Sequence, residues 1–231
     1  YATGFYTSTT TVPIRNITLT APTTYSLPIS SGQDAFLIRY TSGDFSVNGF
    51  SYLSGSGTDA GYTIATDTTY LYIAGSYNSS NSIPLKTLSV TPTNSTYSLP
   101  STSASSGFII QYSINSGNIT GYSYYSSKIT SITIDSSGYI YVIGDYNSAT
   151  QIRNIYTQLY APSPYSLSTP GTTSLYIVQY ANVSSSTVVS TDSSTLQGKI
   201  VKVGTTYITG DTGNYINTST NLTTWTRTAV T

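Results

Sequence analysis

One short motif returns through this chain about every 70 residues, and that period constrains the fold more than any other feature. An apolar stretch runs into a glycine and then a soft polar tip: "YATGFYTST" at the start, "YLYIAGSYNSS" from Tyr70, "YIYVIGDYNS" from Tyr139 and "YITGDTG" from Tyr207. The glycines are Gly4, Gly75, Gly144 and Gly210. Other landmarks keep the same phase. "YSLP" or "YSLS" recurs at Tyr25, Tyr97 and Tyr165, and the apolar runs "FLIRY", "FIIQY" and "YIVQY" begin at Phe36, Phe108 and Tyr176. "GFSY" and "GYSY" follow at Gly49 and Gly121, and a basic residue repeats at Arg15, Lys86 and Arg153.

Within a unit the runs are short, rich in Ile, Val, Thr and Tyr, and bounded by Gly, Ser and Asp, which predicts strands. The unit around Gly144 reads as strand one over 129–135, a tight turn at Asp135–Gly138, strand two over 139–146, a long connection, strand three over 175–180 and strand four near Thr187–Ser190. Strand one is the most uniformly apolar by position and is expected at the buried centre. Tandem four-stranded antiparallel units predict an all-β fold of the β-propeller or propeller-like kind, an incomplete propeller included. A single sheet cannot bury both faces, so units must stack. The chain reads as a single repeat domain over 1–231, with approximate units 1–60, 61–127, 128–196 and a short last one at 197–231. Without an initiating Met, and with the repeat opening in mid-unit, it is expected to be an excerpt of something longer, or a set of sheets completed by neighbours.

Composition narrows the chemistry. Cys, His and Met are absent, all 8 acidic residues are Asp, and Lys and Arg together also number 8. Without Cys or His there is no disulfide, no thiolate and no ordinary partner for a serine nucleophile. The balanced, sparse charge carries no nucleic-acid footprint. No apolar stretch is long enough for a membrane-spanning helix, so no membrane insertion is expected. Asp44, Asp59 and Asp135 sit in Gly/Ser loops, where Asp is a turn former, and one carboxylate in "SGSGTDAG" is too few to hold calcium. No catalytic residue, cofactor or metal site is expected.

Other residues could make contacts. Arg15, Lys86 and Arg153 would project from equivalent places as a row of anion or glycan contacts; the ordinary reading is solubility, or protection of a strand edge. Tyr122 and Tyr124 could stack on a sugar or a protein; the ordinary reading is packing against the next sheet. Asn16, Asn78, Asn94, Asn118, Asn182, Asn217 and Asn221 fit the N-glycosylation pattern. So Ser/Thr-rich a chain yields about four or five such matches by chance.

"DAFLIRYTSG" (34–43), "YLSGSGTDAGYTIATD" (52–67) and "YLYIAGSY" (70–77) resemble the SBBP-type β-propeller repeat. The resemblance covers the first two units best. The family's Asp-Ser-x-Gly turn survives at Asp135–Gly138 and is lost at Asp67–Tyr70, and the middle unit lacks its Gly-rich turn. The closing stretch 207–228 resembles a degenerate Asp-box hairpin, with Trp225 as packing anchor and Thr220 and Leu222 in place of the box's Asp and Gly. Both imply propeller blades, and the long "YSLP" connection is of a kind associated with large DNA viruses and bacterial surface proteins. The expectation is a non-catalytic structural or interaction module on an extracellular or virion surface: a capsid-associated component or a cell-surface scaffold. Its partners would be the other proteins of that assembly. The alternative is a glycan-binding adhesin or lectin-like module.

Overall fold

The computed structural model describes residues 1–17, 22–153, 155, 162–169, 173–181, 185–189, 196–203, 206–211, 215–220 and 226–229. The fold is all-β. β1 (Ala2–Tyr6) is followed by a ribbon of β2 (Val12–Arg15) and β3 (Pro22–Leu27), then by β4 (Asp34–Tyr40) and β5 (Val47–Leu53). The pattern returns as β6 (Ala60–Thr66), β7 (Tyr70–Tyr77), a ribbon of β8 (Ile83–Lys86) and β9 (Asn94–Leu99), β10 (Ser106–Ser113) and β11 (Ile119–Tyr125). It returns again as β12 (Lys128–Ile134), β13 (Ile140–Tyr146), β14 (Thr150–Arg153) with β15 (Pro162–Leu167), β16 (Ser174–Ala181) and β17 (Ser185–Val189). β18 (Leu196–Val203), β19 (Thr206–Asp211), β20 (Tyr215–Ser219) and β21 (Thr226–Ala229) form a last sheet.

Each main sheet is an antiparallel meander: β1-β4-β5, β6-β7-β10-β11, β12-β13-β16-β17 and β18-β19-β20-β21. The register repeats. Gly4 lies opposite Phe36, Gly75 opposite Phe108 and Gly144 opposite Tyr176. At Gly4 and Gly144 the opposite ring occupies space that the glycine leaves open.

The long connections are not featureless. Each of the first three carries a two-stranded ribbon, β2-β3, β8-β9 and β14-β15, with a register shift at Pro13/Arg15, Pro84/Lys86 and Gln151/Arg153. The expected central position of strand one is also corrected. β6 and β12 lie at sheet edges. The most buried strands are β7, β10 and β13, because each is flanked by strands on both sides.

Alternation along the middle strands joins the sheets. In β7, Leu71, Ile73 and Tyr77 face a core shared with Ala35, Leu37 and Leu53 of the first sheet. The intervening Tyr72 and Ala74 face a core shared with Ile129, Ile132, Ile140 and Val142 of the third. The second sheet is therefore buried on both faces, which is why β7 reads as a continuous apolar run. Each fully buried Leu or Ile contributes about 1.5–3 kcal/mol.

Buried hydroxyls are paired by a repeated device. Gln111 Nε2 donates to Tyr72 Oη at 2.7 Å, and Gln179 Nε2 donates to Tyr141 Oη at 3.0 Å, each across one rung of the ladder. The turn at Asp135 forms as its residues dictate. Asp135 Oδ1 accepts the amides of Ser137 and Tyr139, Oδ2 accepts Tyr141 Oη at 3.1 Å, and Gly138 adopts φ of 82°. Asp135→Ala is expected to cost about 1–2 kcal/mol, read from urea unfolding, because three donors lose one acceptor residue.

Candidate functional site

Two of the three repeated basic residues meet a tyrosine at one kind of place, the junction between a ribbon and the outer strand of the preceding sheet. Lys86 ends β8, and its Nζ sits 4.9 Å from the ring centre of Tyr52 on β5. Arg153 ends β14, and its Cζ sits 4.4 Å from the ring centre of Tyr124 on β11. At both junctions the neighbouring serine closes the latch. Ser51 Oγ donates to the Lys86 carbonyl at 3.0 Å, and Ser123 Oγ donates to the Arg153 carbonyl at 3.1 Å. A tyrosine from the following sheet completes it. Tyr180 Oη donates to the Arg153 carbonyl at 2.8 Å, while Tyr112 Oη lies 3.1 Å from Ser51 Oγ.

Chain direction explains the latch. Tyr52 and Tyr124 are half-buried and each follows a fully buried serine, so alternation sends the serine toward the ribbon backbone and the ring toward the flanking cation. At the first junction the backbone joins too: Phe50 N donates to Ser89 O at 3.0 Å and Ser89 N donates to Phe50 O at 3.3 Å. The ribbon thereby covers the outer edge of β5, which would otherwise invite another strand. A double-mutant cycle on Lys86 and Tyr52, both to Ala, is expected to give a coupling of about 0.5–1 kcal/mol.

The remaining sequence candidates fall in several places. Arg15 is exposed at the end of β2. Tyr122 is buried, its ring centre 5.6 Å from that of Tyr97, and it belongs to the core between sheets. Asn16 is half-buried and its Oδ1 accepts the Val47 amide at 2.9 Å. Asn78 is half-buried, and Asn94 and Asn118 are exposed, with Asn94 Oδ1 accepting a hydrogen bond from Lys86 Nζ. Asn217 lies in β20. Asn182, Asn221 and Trp225 lie outside the described residues.

Two features of the junctions are not evident in sequence. Asp34 and Asp59 are fully buried where the first sheet passes to the second. Asp59 accepts the amides of Gly55 at 2.8 Å and Asn78 at 3.2 Å, and burial pushes its carboxyl up to about 6, against the pull of those two bonds and with a small push from Asp34. Burial also raises Asp34, held back by Ser54 and by Tyr6, whose Oη donates to Asp34 Oδ2 at 3.5 Å. Asp59 therefore ties two loops together rather than forming its own turn. The second feature is a pocket of about 200 Å³ beside Arg153 and Tyr124.

A larger open cleft, about 630 Å³, lies between the Asp67 turn of the second sheet and the Asp135 turn of the third. Thr66, Thr68, Thr69, Tyr70, Ser136 and Ser137 line it. Among the described residues, no group of three or more carboxylates stands close enough to hold a metal ion. No family model, no curated protein and no solved structure matches this chain.

Proposed function

We propose that the chain is a non-catalytic scaffold of propeller-type blades, used as a structural and interaction module on an exterior surface. The single observation that carries this reading is the latch found at both Lys86–Tyr52 and Arg153–Tyr124. The chain commits Lys86 and Arg153, with their tyrosines and serines, to joining one sheet to the next, which is what a rigid array needs. The meander order and the burial of the second sheet on both faces support the propeller reading. Exposed Ile17, Ile29 and Val90 around the ribbons supply apolar area for neighbours. The test is stoichiometry with cross-linking on the native assembly. The reading predicts a fixed ratio to one or more neighbours and cross-links through the ribbons. Recovery as a free chain with no fixed-ratio partner would contradict it.

The cleft between the two turns favours a second reading, glycan binding. It presents several hydroxyls beside the half-buried Tyr70 ring. Asp67 Oδ1 accepts the amides of Thr69 and Tyr70 at 2.6 Å each, and Asp67 Oδ2 meets no donor among the described residues. A neutral glycan panel tests it: binding that disappears in Tyr70→Ala supports this reading, and no binding across the panel removes it.

A further inference from the structure

The register of the sheets sets up a comparison that the chain makes with itself. In the first three sheets the strand carrying the repeated glycine ends in a tyrosine that faces the first residue of its neighbour: Tyr6 opposite Asp34, Tyr77 opposite Ser106 and Tyr146 opposite Ser174. In the first sheet a buried carboxylate receives the tyrosine hydroxyl. In the second sheet Ser106 stands where that carboxylate would be, and its hydroxyl pairs with Thr102 Oγ1 at 3.0 Å. Tyr77 Oη has no hydrogen-bond partner among the described residues.

The space left is the pocket of about 200 Å³, lined by Tyr77, Ser106, Tyr124, Tyr125, Gln151 and Arg153 among others. A second donor group there lacks an acid to pair with. The Arg153 guanidinium makes one side-chain hydrogen bond, Nη2 to Gln151 Oε1 at 3.3 Å, and meets no carboxylate among the described residues. Asp59, whose charge reaches Tyr77, does not line the pocket. A cation held over an aromatic ring with no carboxylate beside it, and the Tyr77 hydroxyl with nothing to donate to, share one small cavity. A buried donor without an acceptor is costly, and the missing complement is an anionic acceptor.

We propose that this pocket binds a small carboxylate, held by the Arg153 guanidinium and the Tyr77 hydroxyl, in the place that the chain's own Asp34 carboxylate fills one sheet earlier. A planar guanidinium matches a carboxylate with two parallel bonds. The volume is below that of a drug-sized site, about 300–1,000 Å³, so the ligand is a short acid or a single acidic sugar unit. Lys86 at the equivalent latch lacks that fork and lies in the sheet pair where Asp34 is present.

The experiment is a titration of the full chain with acetate, with D-glucuronate and with D-glucose, followed by the ¹⁵N resonance of Arg153 Nε and by calorimetry. Saturable binding of the acids and none of glucose is expected. Acetate and glucuronate binding alike would define a free-carboxylate site, and glucuronate binding alone would define an acidic-sugar site; both support the proposal. Arg153→Gln should weaken binding tenfold or more. Tyr77→Phe, which leaves the latch intact, should weaken it several-fold with unchanged circular dichroism. Glucose binding as well as glucuronate, no saturable response to either acid, or full affinity retained in both variants would overturn it.

Discussion

Adding one methyl group at Gly75 will cost about 3 kcal/mol, and the same change at Gly144 a comparable amount. A Cβ at Gly75 would overlap the Ala60 carbonyl oxygen on the neighbouring strand β6. A Cβ at Gly144 would overlap both the Lys128 carbonyl oxygen on β12 and the Tyr176 hydroxyl. These are backbone atoms of a paired strand or a fully buried ring, so neither can move aside without breaking the ladder. Gly4 holds the same position in the first sheet, yet there a Cβ would meet only the Phe36 ring at 3.1 Å, so Gly4→Ala should cost less. Gly43→Ala, with nothing within 4 Å, should change stability by less than about 0.5 kcal/mol. Urea unfolding of the four alanine variants checks the order. Equal costs at Gly43 and Gly75 would show that β6 does not press on β7 as described.

Acidification will stabilise the protein. Asp59 has an ordinary carboxyl value of 3.8, and burial raises it to about 6 in the folded chain. The folded state therefore holds its proton more tightly than the unfolded state. Between those two values the folded state carries more protons, so stability falls as pH rises through that window and levels off above it. The displacement corresponds to about 3 kcal/mol across the window, and the raised Asp34 acts in the same direction. Asp44 works oppositely: bonds from Thr41 and Ser46 hold its carboxyl down to about 2, so its contribution is lost only at lower pH. The midpoint of thermal unfolding should rise by several degrees from pH 7 to pH 4.5. Asp59→Asn should flatten that slope. A midpoint that falls over this interval would contradict the buried-carboxylate assignment.

Much of the architecture was legible because identical problems recur in phase. A glycine facing an aromatic residue, a Gln or Arg in "IIQY" and "LIRY", and a Ser before Tyr in "GFSY" all mark one register. The ribbons were not legible. Their strands are short, interrupted by Pro13 and Pro84, and offer only an isolated buried residue or two, such as Ile14 or Ile83 and Leu85, too few to set a period. The burial of Tyr122 could have been read: Phe50 occupies the same place in "GFSY", and a residue without a hydroxyl marks an apolar site. The latch could not, because the distance in sequence from Tyr52 to Lys86 says nothing about which face each presents. The same holds for Asp34 and Asp59, whose loops look polar in sequence and are closed over only once two sheets stack.

The central claim is that the second and third ribbons each clasp the outer strand of the sheet before them. Site-resolved hydrogen exchange at Phe50 and Ser89 tests it most directly. Phe50 lies on β5, at the outer edge of the first sheet, and its amide is bonded to the Ser89 carbonyl beyond the ribbon strand β8. The clasp predicts that both amides exchange slowly and that Tyr52→Ala speeds both together. Exchange at the rate of a free strand edge in the unmodified protein would contradict the clasp, and with it the account of how these sheets form one array.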